Sequence, residues 1–150
     1  MEKEFITYKQ ALVLKELGFD EPCFAYYSIN NIENKLFYDI DPDDGELTAL
    51  NQNQFYHNNL SEVGRISSPL KQQVLQWFRD KHQLYGEVHT DCTTYPKFCY
   101  SHTKFFGNPN DLTEKEWGWE NTIGQYSLLY RSYPQAESEL INHLISIINK

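Results

Sequence analysis

The sequence predicts an α+β fold: an antiparallel sheet of three to five strands in a meander, with about three helices packed mainly on one face. Two observations point there. Three segments repeat apolar residues at helical spacing behind N-terminal cap signals, while the segments between them alternate with the period of two expected of half-buried strands. Their order is helix, hairpin, loop, helix, three strands, helix, which is not the regular βαβ alternation of a doubly wound parallel sheet.

The first helix opens at Thr7, because Thr7-Tyr8-Lys9-Gln10 has the form of a capping box. Ala11, Val13, Leu14 and Leu17 form its apolar side, and Gly18 stops it by taking a left-handed conformation that lets Phe19 fold back on Leu14. Residues 23–29 read as a strand with Cys23, Ala25, Tyr27 and Ile29 on one face and Phe24, Tyr26 and Ser28 on the other. Asn30-Asn31 supplies a turn into a hairpin partner at residues 35–40, and residues 41–66 form a long loop with one short element around residues 54–57.

Ser67-Ser68-Pro69 predicts the start of the central helix, with serine as N-cap and proline at the first helical position. Leu70, Val74, Trp77 and Phe78 point inward, Lys71, Arg79 and Asp80 outward, and the helix ends near His82. Strands follow at residues 85–94, 98–105 and 122–131. Tyr95-Pro96-Lys97 turns between the first two, and residues 107–121 make a loop holding a helical turn from Thr113. The last helix, residues 134–149, carries a stripe of Ala136, Leu140, Leu144, Ile147 and Ile148, widened by Ile141 and Ile145. A stripe this wide needs cover from the sheet and from Trp77 and Phe78 of the central helix.

No internal repeat or linker composition divides the chain, so residues 1–150 read as one domain. Twenty-one acidic side chains against 13 basic ones leave a net charge of −8, with no basic cluster to attract a phosphate backbone. The three cysteines, Cys23, Cys92 and Cys99, lack CxxC spacing and read as reduced thiols of the cytoplasm. Neither a leader-like apolar segment at Met1-Glu2-Lys3-Glu4-Phe5 nor a run of about 20 apolar residues is present, so no membrane span is expected.

The candidates for chemistry gather on the hairpin. His89, Asp91 and His102 are the catalytic candidates, although in a strand His89 and Asp91 share a face while Cys92 takes the other, so His89-Thr90-Asp91-Cys92 does not close around a metal without a bulge. No nucleophile elbow pairs Cys92 or Cys99 with His89 or His102. The acidic run of Asp39, Asp41, Asp43, Asp44 and Gly45 lacks a calcium loop's glycine at position 6, and Leu50 stands where its closing glutamate belongs. The 7 glycines make no phosphate-binding loop. No cofactor and no metal are therefore expected. For binding, the aromatic residues Trp117, Trp119, Tyr95 and Tyr100 lead, with Tyr126 and Tyr130 beside them, because tryptophan and tyrosine concentrate at binding hot spots.

Three stretches carry a resemblance. They are Tyr8-Lys9-Gln10-Ala11-Leu12 running into Leu17-Gly18-Phe19-Asp20-Glu21-Pro22, the helix containing Trp77-Phe78-Arg79-Asp80-Lys81-His82, and the aromatic-then-helix end at residues 130–144. In these the chain resembles a set of small proteins of unknown function from bacteriophages, prophages and Bacteroidetes. The resemblance covers about a third of the chain and implies an accessory gene on a mobile element, acting in the cytoplasm of the host. Absence of a catalytic constellation then favours a non-enzymatic protein that binds a protein partner, such as a host-defence component, through an acidic aromatic surface. Two alternatives stand beside it: an enzyme acting on a small molecule or nucleotide through His89, Asp91 and His102, and a single-stranded nucleic-acid binder using tyrosines, which the net charge opposes. Monomer and homodimer are both compatible with the sequence.

Overall fold

The computed structural model describes residues 2–29, 35–38, 64–91, 97–106, 118–122 and 130–149. Its contacts divide the chain into two compact units, Met1–Lys71 and Gln72–Lys150.

In the first unit a short turn at Glu2–Glu4 leads to helix α1 (Tyr8–Glu16), which starts where its capping box places it. Thr7 Oγ1 accepts the Gln10 N–H at 3.3 Å, and Gln10 Oε1 accepts the Thr7 N–H at 2.9 Å. At the other end Gly18 adopts φ +85°. Its N–H donates to the Lys15 carbonyl at 3.1 Å while the Phe19 N–H reaches the Leu14 carbonyl at 2.9 Å, the paired bonds of a Schellman motif. Leu14 and Phe19 are both buried, so the stop signal also seeds the core. Gly18→Ala is expected to destabilise the protein by about 1–2 kcal/mol, because a Cβ in this backbone region crowds the following carbonyl. Gly18→Asn should lose less, and urea denaturation of both variants checks the order.

Strand β1 (Ala25–Ser28) runs between β2 (Leu36–Tyr38) and β3 (Arg65–Ser68), antiparallel to both. Cys23, Ala25 and Tyr27 are buried and Phe24 is exposed, as the alternation predicts. Ile29 departs from it and is exposed, because the strand ends at Ser28 and the Ile29 N–H turns to the Gly64 carbonyl at 2.7 Å. The N-terminal segment is tied down by the Tyr27 hydroxyl, which donates to the Ile6 carbonyl at 2.7 Å, and by the Ile6 N–H, which donates to the Pro69 carbonyl at 3.2 Å.

Ser67 and Ser68 are not helix caps. They lie in β3 opposite Tyr26 and Ala25, both are buried, and the central helix begins only at Lys71. Local cap chemistry gave way to strand pairing, which buries these two small residues against β1. The end of the expected loop is likewise strand, from Arg65 onward. The Asn30-Asn31 turn and the element expected at residues 54–57 lie outside the described residues.

Helix α2 (Lys71–His82) ends at the predicted residue, with Val74, Trp77 and Phe78 buried. Lys71, expected outside, is buried as well. Gln83, in a left-handed conformation with φ 55°, turns the chain into a second sheet of β4 (Leu84–Asp91), β5 (Lys97–Phe106) and β6 (Gly118–Thr122), in that order and antiparallel. The α+β class thus holds, but the one meander of three to five strands becomes two sheets of three among the described residues. Residues 118–122, read mostly as loop, form β6, where Trp119 pairs with Phe105. The turn at Tyr95-Pro96, the helical turn expected at Thr113, and most of the strand expected at residues 122–131 lie outside the described residues. Tyr130 is an exception, bridging to Phe98.

Helix α3 (Tyr133–Ile148) packs across β4 and β5. Ser132 has the extended backbone of an N-cap, although its hydroxyl makes no cap bond, and the helix starts with Pro134 in its first turn. Ala136, Leu140, Ile141, Leu144 and Ile145 are buried, as the wide stripe requires. Between it and α2, Gln72 Nε2 donates to the buried Glu137 carboxylate at 2.7 Å.

Candidate functional site

The ladder of β4 and β5 decides which hairpin side chains meet. His89 pairs with Cys99 and His102 with Gly86, and directly opposed residues in an antiparallel ladder share a face. His89 and His102 stand on registers of opposite parity, so they lie on opposite faces of the sheet. His89 is exposed, with Nε2 2.6 Å from Ser101 Oγ and 3.9 Å from Glu87 Oε2. Asp91 pairs with Lys97 at the end of the ladder. His102 is buried on the face covered by α3. The three catalytic candidates therefore do not converge on one site.

What His102 meets is a residue the sequence analysis passed over. His143 of α3 brings its Nε2 to 3.0 Å from His102 Nδ1, with ring centroids 4.6 Å apart and planes inclined at 58°. The cause is packing one turn earlier. Gly86 lies opposite His102, and a Cβ there would stand 2.8 Å from Leu140 Cδ1, so only glycine lets Leu140 settle onto β4. Residue 143 then follows Leu140 by three positions on the same helix face and comes to rest on His102. The available sequence signal was this i, i+3 relation to a buried leucine.

Tyr100, two residues before His102 and so on the same face, extends the cluster. Its ring is 5.6 Å from that of His143 and is stacked on Tyr130 at 6.0 Å. Tyr130 is held there by a two-bond bridge, its N–H donating to the Phe98 carbonyl at 2.7 Å and its carbonyl accepting the Phe98 N–H at 3.0 Å. Burial pushes both phenols above the ordinary tyrosine range, and the nearby Glu139 carboxylate adds to the effect. Both therefore remain protonated donors at neutral pH. Tyr100 and Tyr130 are thus the two binding candidates whose side chains the structure describes, and they stack on one another. Tyr95 and Trp117 lie outside the described residues, and of Trp119 the structure describes the backbone within β6.

Neither described cysteine is armed as a nucleophile. The Cys23 thiol is buried and donates to the Glu21 carbonyl at 3.2 Å; burial, helped by Glu21 and Asp20, pushes its pKa far up. Cys99 is buried too, and its contact with His89 runs to the backbone carbonyl at 3.8 Å rather than to the ring. Among the described residues no group of three or more His, Cys, Asp or Glu side chains converges to hold a metal, and no helix is long and apolar enough to cross a membrane.

A second histidine carries a pH response. The Nε2 of His82 is buried without a hydrogen-bond partner among the described residues, its ring 4.6 Å from that of Trp77. Burial lowers its pKa below the ordinary value of 6.5. Below that value the unfolded chain binds a proton that the folded protein refuses, so this contribution to stability is complete above pH 6.5 and declines as the pH falls through it. Denaturation midpoints between pH 7.5 and 5 should fall less steeply in His82→Phe than in the parent protein.

Comparison with protein-family models, with curated proteins and with solved structures finds no match to this chain.

Proposed function

We propose that this protein works by binding a protein partner, as a non-enzymatic accessory protein of a mobile element such as a phage, with a host-defence component as the class of partner. The observation supporting this reading is the outward face of the first sheet. Tyr26 and Phe37, paired across β1 and β2, stack at 5.5 Å, and the Arg65 guanidinium lies over the Tyr26 ring at 4.7 Å. Phe24 is 38% exposed, and Ile29, just past the end of β1, is 49% exposed. Rigid aromatic rings with an arginine are the composition of interface hot spots. The net charge of −8 favours a basic partner and predicts association that slows as salt rises.

The hairpin offers less to an enzyme, since His89 and His102 are on opposite faces and the two described thiols, Cys23 and Cys99, are buried. Affinity capture from host lysate tests the proposal. Wild-type protein is expected to retain a specific partner that Phe24→Asp/Ile29→Asp loses, while Tyr85→Ser, altered at an exposed site on the other sheet, keeps it. Recovery of the same proteins by all three baits, or of none by any, would count against this reading.

A further inference from the structure

The geometry points to a transition-metal site at the second unit's histidine pair, in which His102 Nδ1 and His143 Nε2 chelate one divalent ion of tetragonal preference, Cu(II) or Ni(II), side by side. Beyond partner binding, this assigns the protein a second and independent property.

Two imidazoles 3.0 Å apart can be joined by a hydrogen bond or by a shared ion, and the ring positions accommodate the ion. A straight N–H···N hydrogen bond of this length sets the rings head-on, with centroids about 5.3 Å apart. With metal–nitrogen bonds of about 2.0–2.1 Å, two neighbouring ligands 3.0 Å apart subtend about 95° at the metal and carry their ring centroids about 4.7 Å apart. The observed separation is 4.6 Å. This spacing suits adjacent ligands on one ion, and equally a bent hydrogen bond between the two rings while no ion is bound.

An angle near 90° suits some metals better than others. Tetrahedral coordination would spread the nitrogens to about 3.3–3.4 Å, whereas square-planar and tetragonal Cu(II) and Ni(II) hold adjacent ligands near a right angle. The Irving–Williams order also favours copper. The remaining positions go to water or an added ligand, since no third His, Cys, Asp or Glu of the described residues joins the pair. The surroundings favour a cation: Glu139 precedes His143 by one helical turn, and its charge is felt by Tyr100 and Tyr130 beside the pair. His143 is only half-buried, which gives an ion an approach from its side of the pair. On loading, the proton between the rings moves to the far nitrogen of the ring that carried it, leaving both facing nitrogens as ligands.

Both ligands are supported by rigid elements. His102 is central in the ten-residue β5, and His143 lies between the buried Leu140 and Leu144 of α3. Their spacing is therefore set before any ion arrives, and little ordering accompanies binding.

The test uses untagged full-length protein with Cu(II), followed by electron paramagnetic resonance and titration calorimetry. The expected result is one tight ion per chain, with a tetragonal spectrum showing two imidazole nitrogens in the equatorial plane. His102→Gln and His143→Gln should each weaken binding by more than the roughly 10- to 100-fold that follows loss of a mere second-shell partner, while His89→Gln leaves it unchanged. Nickel should compete, and zinc should bind more weakly. A spectrum of one imidazole or of backbone nitrogens only, or equal binding by all three variants, would overturn the assignment and leave a bent hydrogen bond. The wild-type spectrum decides the donor set even if an interior variant fails to fold.

Discussion

Leu140→Ala is expected to destabilise the protein by about 2–5 kcal/mol, the range for removing a fully buried leucine and leaving part of its volume empty. Leu140 is 0% exposed and rests on Gly86, whose missing Cβ is what lets α3 approach β4. The reciprocal change, Gly86→Ala, puts a methyl group 2.8 Å from Leu140 Cδ1 and 3.0 Å from Cδ2. Because that leucine is enclosed on all sides, the clash should cost about 1–3 kcal/mol rather than being relieved by a rotamer change. The two effects are not independent. In the double variant the new methyl group occupies part of the cavity that Leu140→Ala creates, so the combined loss should fall clearly below the sum of the single losses. Residues in direct contact show coupling of about 0.5–3 kcal/mol. A double-mutant cycle by urea denaturation measures it, and strict additivity would mean that α3 does not seat on β4 through this contact. The same cycle bears on the histidine pair, since whatever lifts Leu140 off Gly86 also lifts His143 off His102.

Phe78→Ala should cost about 3–5 kcal/mol, as for other fully buried phenylalanines. The Phe78 ring, 0% exposed, meets Trp77 edge-on at 5.2 Å and lies 6.1 Å from His82. Its removal therefore acts on a titrating group as well as on the core. With the ring gone, water gains access to the His82 imidazole, the burial that lowers its pKa weakens, and the value moves back up toward 6.5. Histidine resonances followed by NMR through an acid titration should show that upward movement of His82 in Phe78→Leu, a milder variant that keeps the helix folded. An unchanged His82 would show that its environment is set by Trp77 alone.

Where function is concerned, the sequence could name residue types but not their company. His102 was visible as a candidate, yet its partner lies 41 residues later in a helix whose stripe reads as ordinary core. Only the seating of Leu140 on Gly86 brings the two rings together. Tyr100 was visible as an aromatic candidate, and the fold turned it inward against Tyr130 and His143. The outward aromatic face, with Phe24 exposed and Tyr26 stacked half-buried on Phe37, was legible only as the wet side of an alternating strand, because stacking depends on the neighbouring strand's register.

Local chemistry by itself determined the ends of α1, the finish of α2, the start of α3 and the buried stripe of α3. In each case the decisive interactions lie within one or two turns: Thr7 with Gln10, Gly18 and Phe19 with Lys15 and Leu14, and Pro134 with the first turn it leads. It also determined the alternation of Cys23, Ala25 and Tyr27, which needs only a sheet with one buried face. Tertiary structure decided where strand and helix competed for the same residues. Ser67 and Ser68 are good caps in isolation, but pairing with Tyr26 and Ala25 drew them into β3 and delayed α2 to Lys71. It decided too that the described strands form two sheets of three, and that His89 and His102 part to opposite faces. Register is the physical reason: a ladder shifted by one residue reverses every face, and the choice rests on contacts far apart in the chain.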